Sequence, residues 1–147
     1  MLFRSVGVVT GQADGDAWRA HEGRIFSASG SVVKITVLPS EVGDLFATIH
    51  QRTAAASIDC DIAGRGALGV VLVRLGGSPS SHVTVIRDLR AAASARGGHL
   101  AVMSATAEVE REVGAFGPLG DAEPVMRAVK ARFDPHRVLN VGVAPWS

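Results

Sequence analysis

Tyrosine is absent from this chain, and there are only two tryptophans and five phenylalanines. A core of such a sequence has to be built from aliphatic side chains. Cysteine occurs once, at Cys60. One thiol excludes an intrachain disulfide framework and suits a reducing compartment, so the cytoplasm is the expected location. No apolar run approaches the roughly 18 residues of a membrane span, and the N-terminus lacks the apolar region and small-residue cleavage site of a signal peptide. Neither sign of charge is in excess: the formal net charge is +1. That gives no strong pull toward nucleic acid, a membrane surface or an acidic partner.

What remains is the composition of an ordinary folded domain. Of 147 residues, 47% are hydrophobic and 20% charged, so a packed core is expected and disorder along the whole length is not. Residues 1–30 are expected to form a linker and lead-in helix. Within them Leu2-Phe3-Arg4-Ser5 matches one reading frame of a common sequencing adapter, so Met1 to Ser5 are expected to carry no function. Asp16 to Phe26 is predicted to be a short helix with Trp18 and Ile25 on one side.

Residues 31–147 form the second segment. Val33, Ile35 and Val37 alternate with Lys34 and Thr36, the pattern of a half-buried strand. Pro39 and Ser40 follow, with Ser40 as the expected helix cap. Val42, Leu45, Phe46 and Ile49 then recur at helical spacing. Ile58, Cys60 and Ile62 predict a second strand, Ala63-Gly64-Arg65-Gly66 a turn, and Leu68 to Leu75 a central strand paired to it as a hairpin. Gly76-Gly77-Ser78-Pro79 stops that strand and opens a helix, with Ser78 as cap and Pro79 in the first turn. Ile86, Leu89 and Ala93 mark its buried stripe, and Arg96-Gly97-Gly98 ends it. Leu100, Val102 and Met103 make a fourth strand. The order β-α-β-β-α-β implies an α+β fold of ferredoxin-like type, with helices over one sheet face. Extra helices are predicted at Glu108 to Val113 and Glu123 to Arg132. The second of these has Met126, Val129 and Phe133 on its inner side.

Little local chemistry is encoded. No G-x-G-x-x-G or G-x-x-x-x-G-K-[ST] pattern is present. The histidines at 21, 50, 82, 99 and 136 lack the spacing that puts two ligands on one face. Cys60 is expected on the apolar side of its strand, as an inert core thiol. The tail is more specific. Pro135 cannot continue a helix and biases Asp134 away from it, so the last helix must stop near Phe133. Asp134 can then start a turn by accepting backbone hydrogen bonds. Phe133, Val138 and Leu139 are expected to anchor that turn in the core, presenting Asn140 at a fixed place.

That tail, Phe133-Asp134-Pro135-His136-Arg137-Val138-Leu139-Asn140, resembles the closing motif of FAD-linked oxidases of the vanillyl-alcohol oxidase type. Val33-Lys34-Ile35-Thr36-Val37-Leu38-Pro39-Ser40 is similar to the opening of the cap domain in the glycolate oxidase FAD-binding subunit. The resemblance spans roughly residues 16 to 142. It departs from the family at Val141, where a proline is usual, and at Val143, where a basic residue is usual. It implies the substrate-side cap of an FAD-dependent oxidoreductase acting on a small 2-hydroxy acid such as glycolate. The expected partners are an N-terminal FAD-binding domain, lacking from this sequence, and other oxidase subunits. By this resemblance Asn140 and Arg137 would meet the cofactor, and Arg65, Arg74 and His136 the substrate. A fragment of this kind is expected to be inactive alone and to expose an apolar patch where the FAD-binding domain docks. The competing expectation is a free-standing ferredoxin-like binding or interaction module. An RNA-binding role is disfavoured, because the four predicted strands hold no aromatic residue on which bases could stack.

Overall fold

Aliphatic alternation and helical spacing produce the expected succession of elements. A computed structural model describes residues 8–26 and 29–141; Met1 to Ser5, Gly142, Val143 and the residues after them lie outside the described residues. The elements are α1 (Gln12–Ile25), β1 (Ser31–Thr36), α2 (Val42–Ala55), β2 (Cys60–Arg65), β3 (Val70–Leu75), α3 (Pro79–Ser94), β4 (His99–Ser104), α4 (Ala107–Val113) and α5 (Ala122–Phe133). The four strands form one antiparallel sheet in the order β2-β3-β1-β4.

Register decides which side chains share a face. Val33 pairs with Val73 and Val102, and Ile35 with Val71 and Leu100. All six are buried, and they meet Leu45 and Ile49 of α2 and Ile86 and Leu89 of α3 in one aliphatic core. Each fully buried side chain of this size contributes about 1.5–3 kcal/mol of burial free energy. Val109 and Val113 extend the core through α4, which packs on α3. The alternate residues Lys34, Leu72, Arg74, Asp61, Ala63, Arg65 and His99 point to the opposite face. There α1 lies against β2 and β3 with Ile25 buried, so helices do not confine themselves to one face.

Local departures from the expected pattern have local causes. Trp18 does not share a buried side with Ile25; it is 60% exposed and meets the edge of the His21 ring. The turn between β2 and β3 comes later than expected. β2 runs through Arg65, and a turn of 3-10 helix spans Gly66–Leu68. Gly69 follows with φ 66, and a Cβ there would collide with the Val37 carbonyl. Its own carbonyl accepts from Val37 N–H at 2.9 Å, so the hairpin closes onto the end of β1. Leu68 is consequently exposed rather than part of the central strand. Ser40 sits inside a 3-10 turn (Pro39–Glu41) and makes no capping bond, and Phe46 lies at the rim of its helix face. Ser78 occupies the cap position of α3, but its hydroxyl turns to Ser80 and Ser81. At β4 the register steps from Val33↔Val102 to Val32↔Ser104, leaving Met103 as the extra residue of a bulge and half exposed.

The largest departure is α5. The stripe expected to face inward is on the outside: Val129 is 53% and Phe133 79% exposed, Met126 is exposed too, and the helix buries no residue at all.

Candidate functional site

Two places gather the residues singled out from the sequence, and they are separate. The first is the outer face of the sheet. Arg74 stands on β3, an interior strand, directly across from Asp61. Its Nε and Nη2 donate to Asp61 Oδ2 at 2.9 and 2.5 Å, and Nη2 reaches Asp59 Oδ2 at 3.2 Å. The side chain is only 14% exposed. The Asp61 hydrogen bond is the main reason its pKa is raised, against the opposing effect of burial. This guanidinium is therefore charged and already held between two carboxylates. Arg65 shares the face but lies four residues along β2 from Asp61, about 13 Å away at strand rise. It is exposed and has no partner among the described residues. Further across the sheet, burial first, then the Arg90 and Lys34 charges, push the His99 imidazole below its ordinary value and favour its neutral form. Arg90 donates to the carbonyls of Val113 and Gly114, with its Nε buried and without a partner among the described residues. Burial lowers its pKa.

The second place is the tail. α5 stops at Phe133, as Pro135 requires, and Asp134 organises the turn beyond it. Its Oδ1 accepts from Val138 N–H at 2.8 Å, and its Oδ2 from Leu139 N–H at 3.0 Å and from Lys130 Nζ at 2.5 Å. Lys130 also donates to the Leu139 carbonyl at 2.6 Å. Asp134 is 4% exposed, and the Lys130 bond, aided by both backbone donors, holds its carboxyl below the usual range. The turn is thus fastened by a carboxylate. The expected apolar anchoring does not occur, since Phe133, Val138 and Leu139 are all exposed. His136, Arg137 and Asn140 are exposed on this turn. Arg137 and Asn140 have φ of 53 and 48. Asparagine tolerates that left-handed conformation, whereas for arginine it costs roughly 1–2 kcal/mol.

A third grouping has no counterpart in any local pattern. Ser31 Oγ lies 3.0 Å from His82 Nδ1, and His82 Nε2 lies 3.0 Å from the Gly76 carbonyl. A carbonyl only accepts, so Nε2 carries a proton, and in the neutral imidazole Nδ1 accepts from the Ser31 hydroxyl. Both side chains are buried. The pair ties β1 to the start of α3 and offers no surface to a substrate. Fifty-one residues separate its members, so no spacing rule could find it. Cys60 packs against the core as expected, with Thr53 Oγ1 3.6 Å from its sulfur.

A recess of about 60 Å³ lies between α1 and β2, lined by His21, Arg24, Ile25, Asp61, Ile62 and Ala63. It has room for water-sized groups, far less than the roughly 300–1,000 Å³ of pockets for larger ligands. No group of three or more acidic, histidine or cysteine residues suited to a metal ion occurs among the described residues. No helix among them is long and apolar enough to cross a membrane. No protein-family model, curated protein or solved structure matches this chain.

Proposed function

We propose that this chain is the substrate-side cap of an FAD-dependent oxidoreductase acting on a small 2-hydroxy acid such as glycolate. In this reading it works against an FAD-binding domain. The observation that carries it is the Asp134 turn: it holds Arg137 in a costly conformation at the surface, beside Asn140. Strained, exposed residues held by a dedicated hydrogen-bond network mark places where the surroundings of a site are assembled. A guanidinium and a carboxamide are donors suited to the phosphate and carbonyl groups of FAD. They suit it as an edge contact, with the enclosing walls supplied by the FAD-binding domain. The apolar stripe of α5 supports the same reading, because Met126, Val129 and Phe133 have no cover among the described residues and lead directly into the turn. Bound FAD would supply the hydride acceptor for oxidation of the hydroxyl-bearing carbon.

Within this proposal Arg137 and Asn140 contact the cofactor, while His136 is available to a substrate carboxylate and Arg65, on the separate sheet face, is not part of that contact. Arg74 positions Asp59 and Asp61 and is the least available of the cations. The strand order β2-β3-β1-β4, all antiparallel, supports a ferredoxin-like sheet elaborated by α1, α4 and α5. Other oxidase subunits and a cytoplasmic location are part of the proposal.

The test is the contiguous coding sequence and the flavoprotein it yields. An FAD-binding domain in the same or an adjacent reading frame is expected, and the assembled flavoprotein should be reduced by glycolate or a close 2-hydroxy acid. Arg137→Ala and Asn140→Ala should each lower kcat/KM by about tenfold, near 1.4 kcal/mol of transition-state stabilisation. An intact gene with no FAD-binding domain in it or beside it overturns the proposal.

A further inference from the structure

The two edges of the sheet are finished differently. At the β4 edge, Val102 N–H donates to the Ala115 carbonyl at 2.7 Å, so the chain following α4 covers that edge. Among the described residues the β2 edge has no such cover. Gly76 N–H donates to the Asp59 carbonyl, which makes Asp59 and Gly76 a hydrogen-bonded pair of the β2–β3 ladder. By alternation Asp61, Ala63 and Arg65 also turn their backbone groups to β3. Cys60, Ile62 and Gly64 therefore turn theirs outward, and these find no partner among the described residues. No proline or bulge interrupts this edge, and such open edges template the pairing of another strand.

The side chains along the edge are complementary to their own two-fold copy. Antiparallel pairing of β2 with a second β2 about an axis at Ala63 sets Ile62 against Gly64 of the second copy. That pair has its backbone groups free on both sides. The same register sets Asp61 against Arg65 of the second copy, twice by symmetry. These fall at non-hydrogen-bonded positions, where facing Cα atoms are about 4.5 Å apart and side chains are closest. Both charges are available. Among the described residues Arg65 has no partner, and Arg74 engages only Oδ2 of Asp61, leaving Oδ1 open. On the core side, Ile58, Cys60 and Ile62 pack against the core yet remain partly exposed at this edge. A second copy would cover them. Since α1 lies over β2 and β3, the two α1 helices would come side by side above the joined edges.

We infer that the β2 edge is a homodimer interface, in which two copies of this chain join their sheets into one of eight strands through Cys60–Arg65, registered by reciprocal Asp61–Arg65 pairs. The occupant is a second copy because the hydrogen-bonding parity, the charges and the apolar fringe are all self-complementary, as an isologous contact requires.

Sedimentation equilibrium on the whole chain tests the interface, and crosslinking tests its register. A dimer is expected at concentrations on the order of 100 µM. Arg65→Asp places like charges opposite one another and should weaken association at least about tenfold, with circular dichroism unchanged because Arg65 is exposed. Ala63→Cys in a Cys60→Ser background should form an intermolecular disulfide on mild oxidation, since the axis brings the two positions within the Cα range of about 4.4–6.8 Å that a disulfide needs. Val129→Asp, on the α5 stripe, should leave the dimer intact. A monomer at these concentrations overturns the inference. A dimer indifferent to Arg65→Asp, one that yields no Ala63→Cys crosslink, or one abolished by Val129→Asp does so equally.

Discussion

Asp134 shows how one side chain can replace a hydrophobic anchor. Phe133, Val138 and Leu139 are apolar enough to suggest a turn pinned to the core, yet all three face outward. The turn is held by the carboxylate, which takes two backbone donors and the Lys130 ammonium. Its pKa is depressed below the ordinary 3.8, chiefly by the Lys130 bond. A carboxyl of lowered folded pKa contributes in full above its unfolded value, and the contribution fades as pH falls through the folded value. The amides of Val138 and Leu139 should therefore stay protected from exchange near neutral pH and lose protection on acidification below about 4. Asp134→Ala should remove the protection at every pH; hydrogen exchange followed by NMR reads both. Ser31 offers a second case. Ser31→Ala leaves His82 Nδ1 a buried acceptor without a donor, at a cost of about 1–3 kcal/mol. Urea denaturation should show that loss, although alanine is nearly the same size as serine.

Among the elements, α3 and α5 read alike in sequence and behave differently. Both carry apolar residues at helical spacing, and both begin near a proline. The stripe of α3 meets the sheet and α2, so Ile86 and Leu89 vanish from solvent. The stripe of α5 meets nothing among the described residues that buries it. Leu89→Ala should cost about 2–5 kcal/mol, whereas Val129→Asp should change the stability of the isolated chain by no more than about 0.5 kcal/mol. Chemical denaturation of the two variants measures the contrast. A large loss from Val129→Asp would mean that α5 packs on the domain after all. The β2–β3 hairpin shows a gentler case. Ala63 to Gly66 has turn composition, but Gly69 is the residue whose left-handed conformation and contact with Val37 suit the bend. Composition marks where a turn is allowed; the contact made by the bend selects among the allowed places.

At the scale of the whole molecule, the aliphatic alternation of β1 and β3 and the helical spacing in α2 and α3 were enough to name the elements and their order. A strand with period two and a helix with period 3.6 each have one face that water disfavours, and that face is written in the local sequence. Helix stops at Phe133 and after Ser94 were equally legible, because proline and glycine act on their own neighbourhood. The positions of Arg74, His136, Arg137 and Asn140 could be given an element but not an environment, and Arg65, read as part of a turn, lies on β2. Whether Arg74 is free or held depends on Asp61 across the ladder and Asp59 beyond it. Whether His82 has a donor depends on a serine fifty-one residues away. Those are consequences of register and packing, in which residues distant along the chain become neighbours. The same holds for surfaces: periodicity says that α5 has an apolar side, and only the assembled fold leaves that side uncovered. So the sequence by itself determined the elements, their order and the chemistry of the tail turn, through interactions a few residues long. Tertiary structure alone decided that Arg74 is held, which edge is open and which apolar face is exposed, because each depends on what the fold brings, or fails to bring, against it.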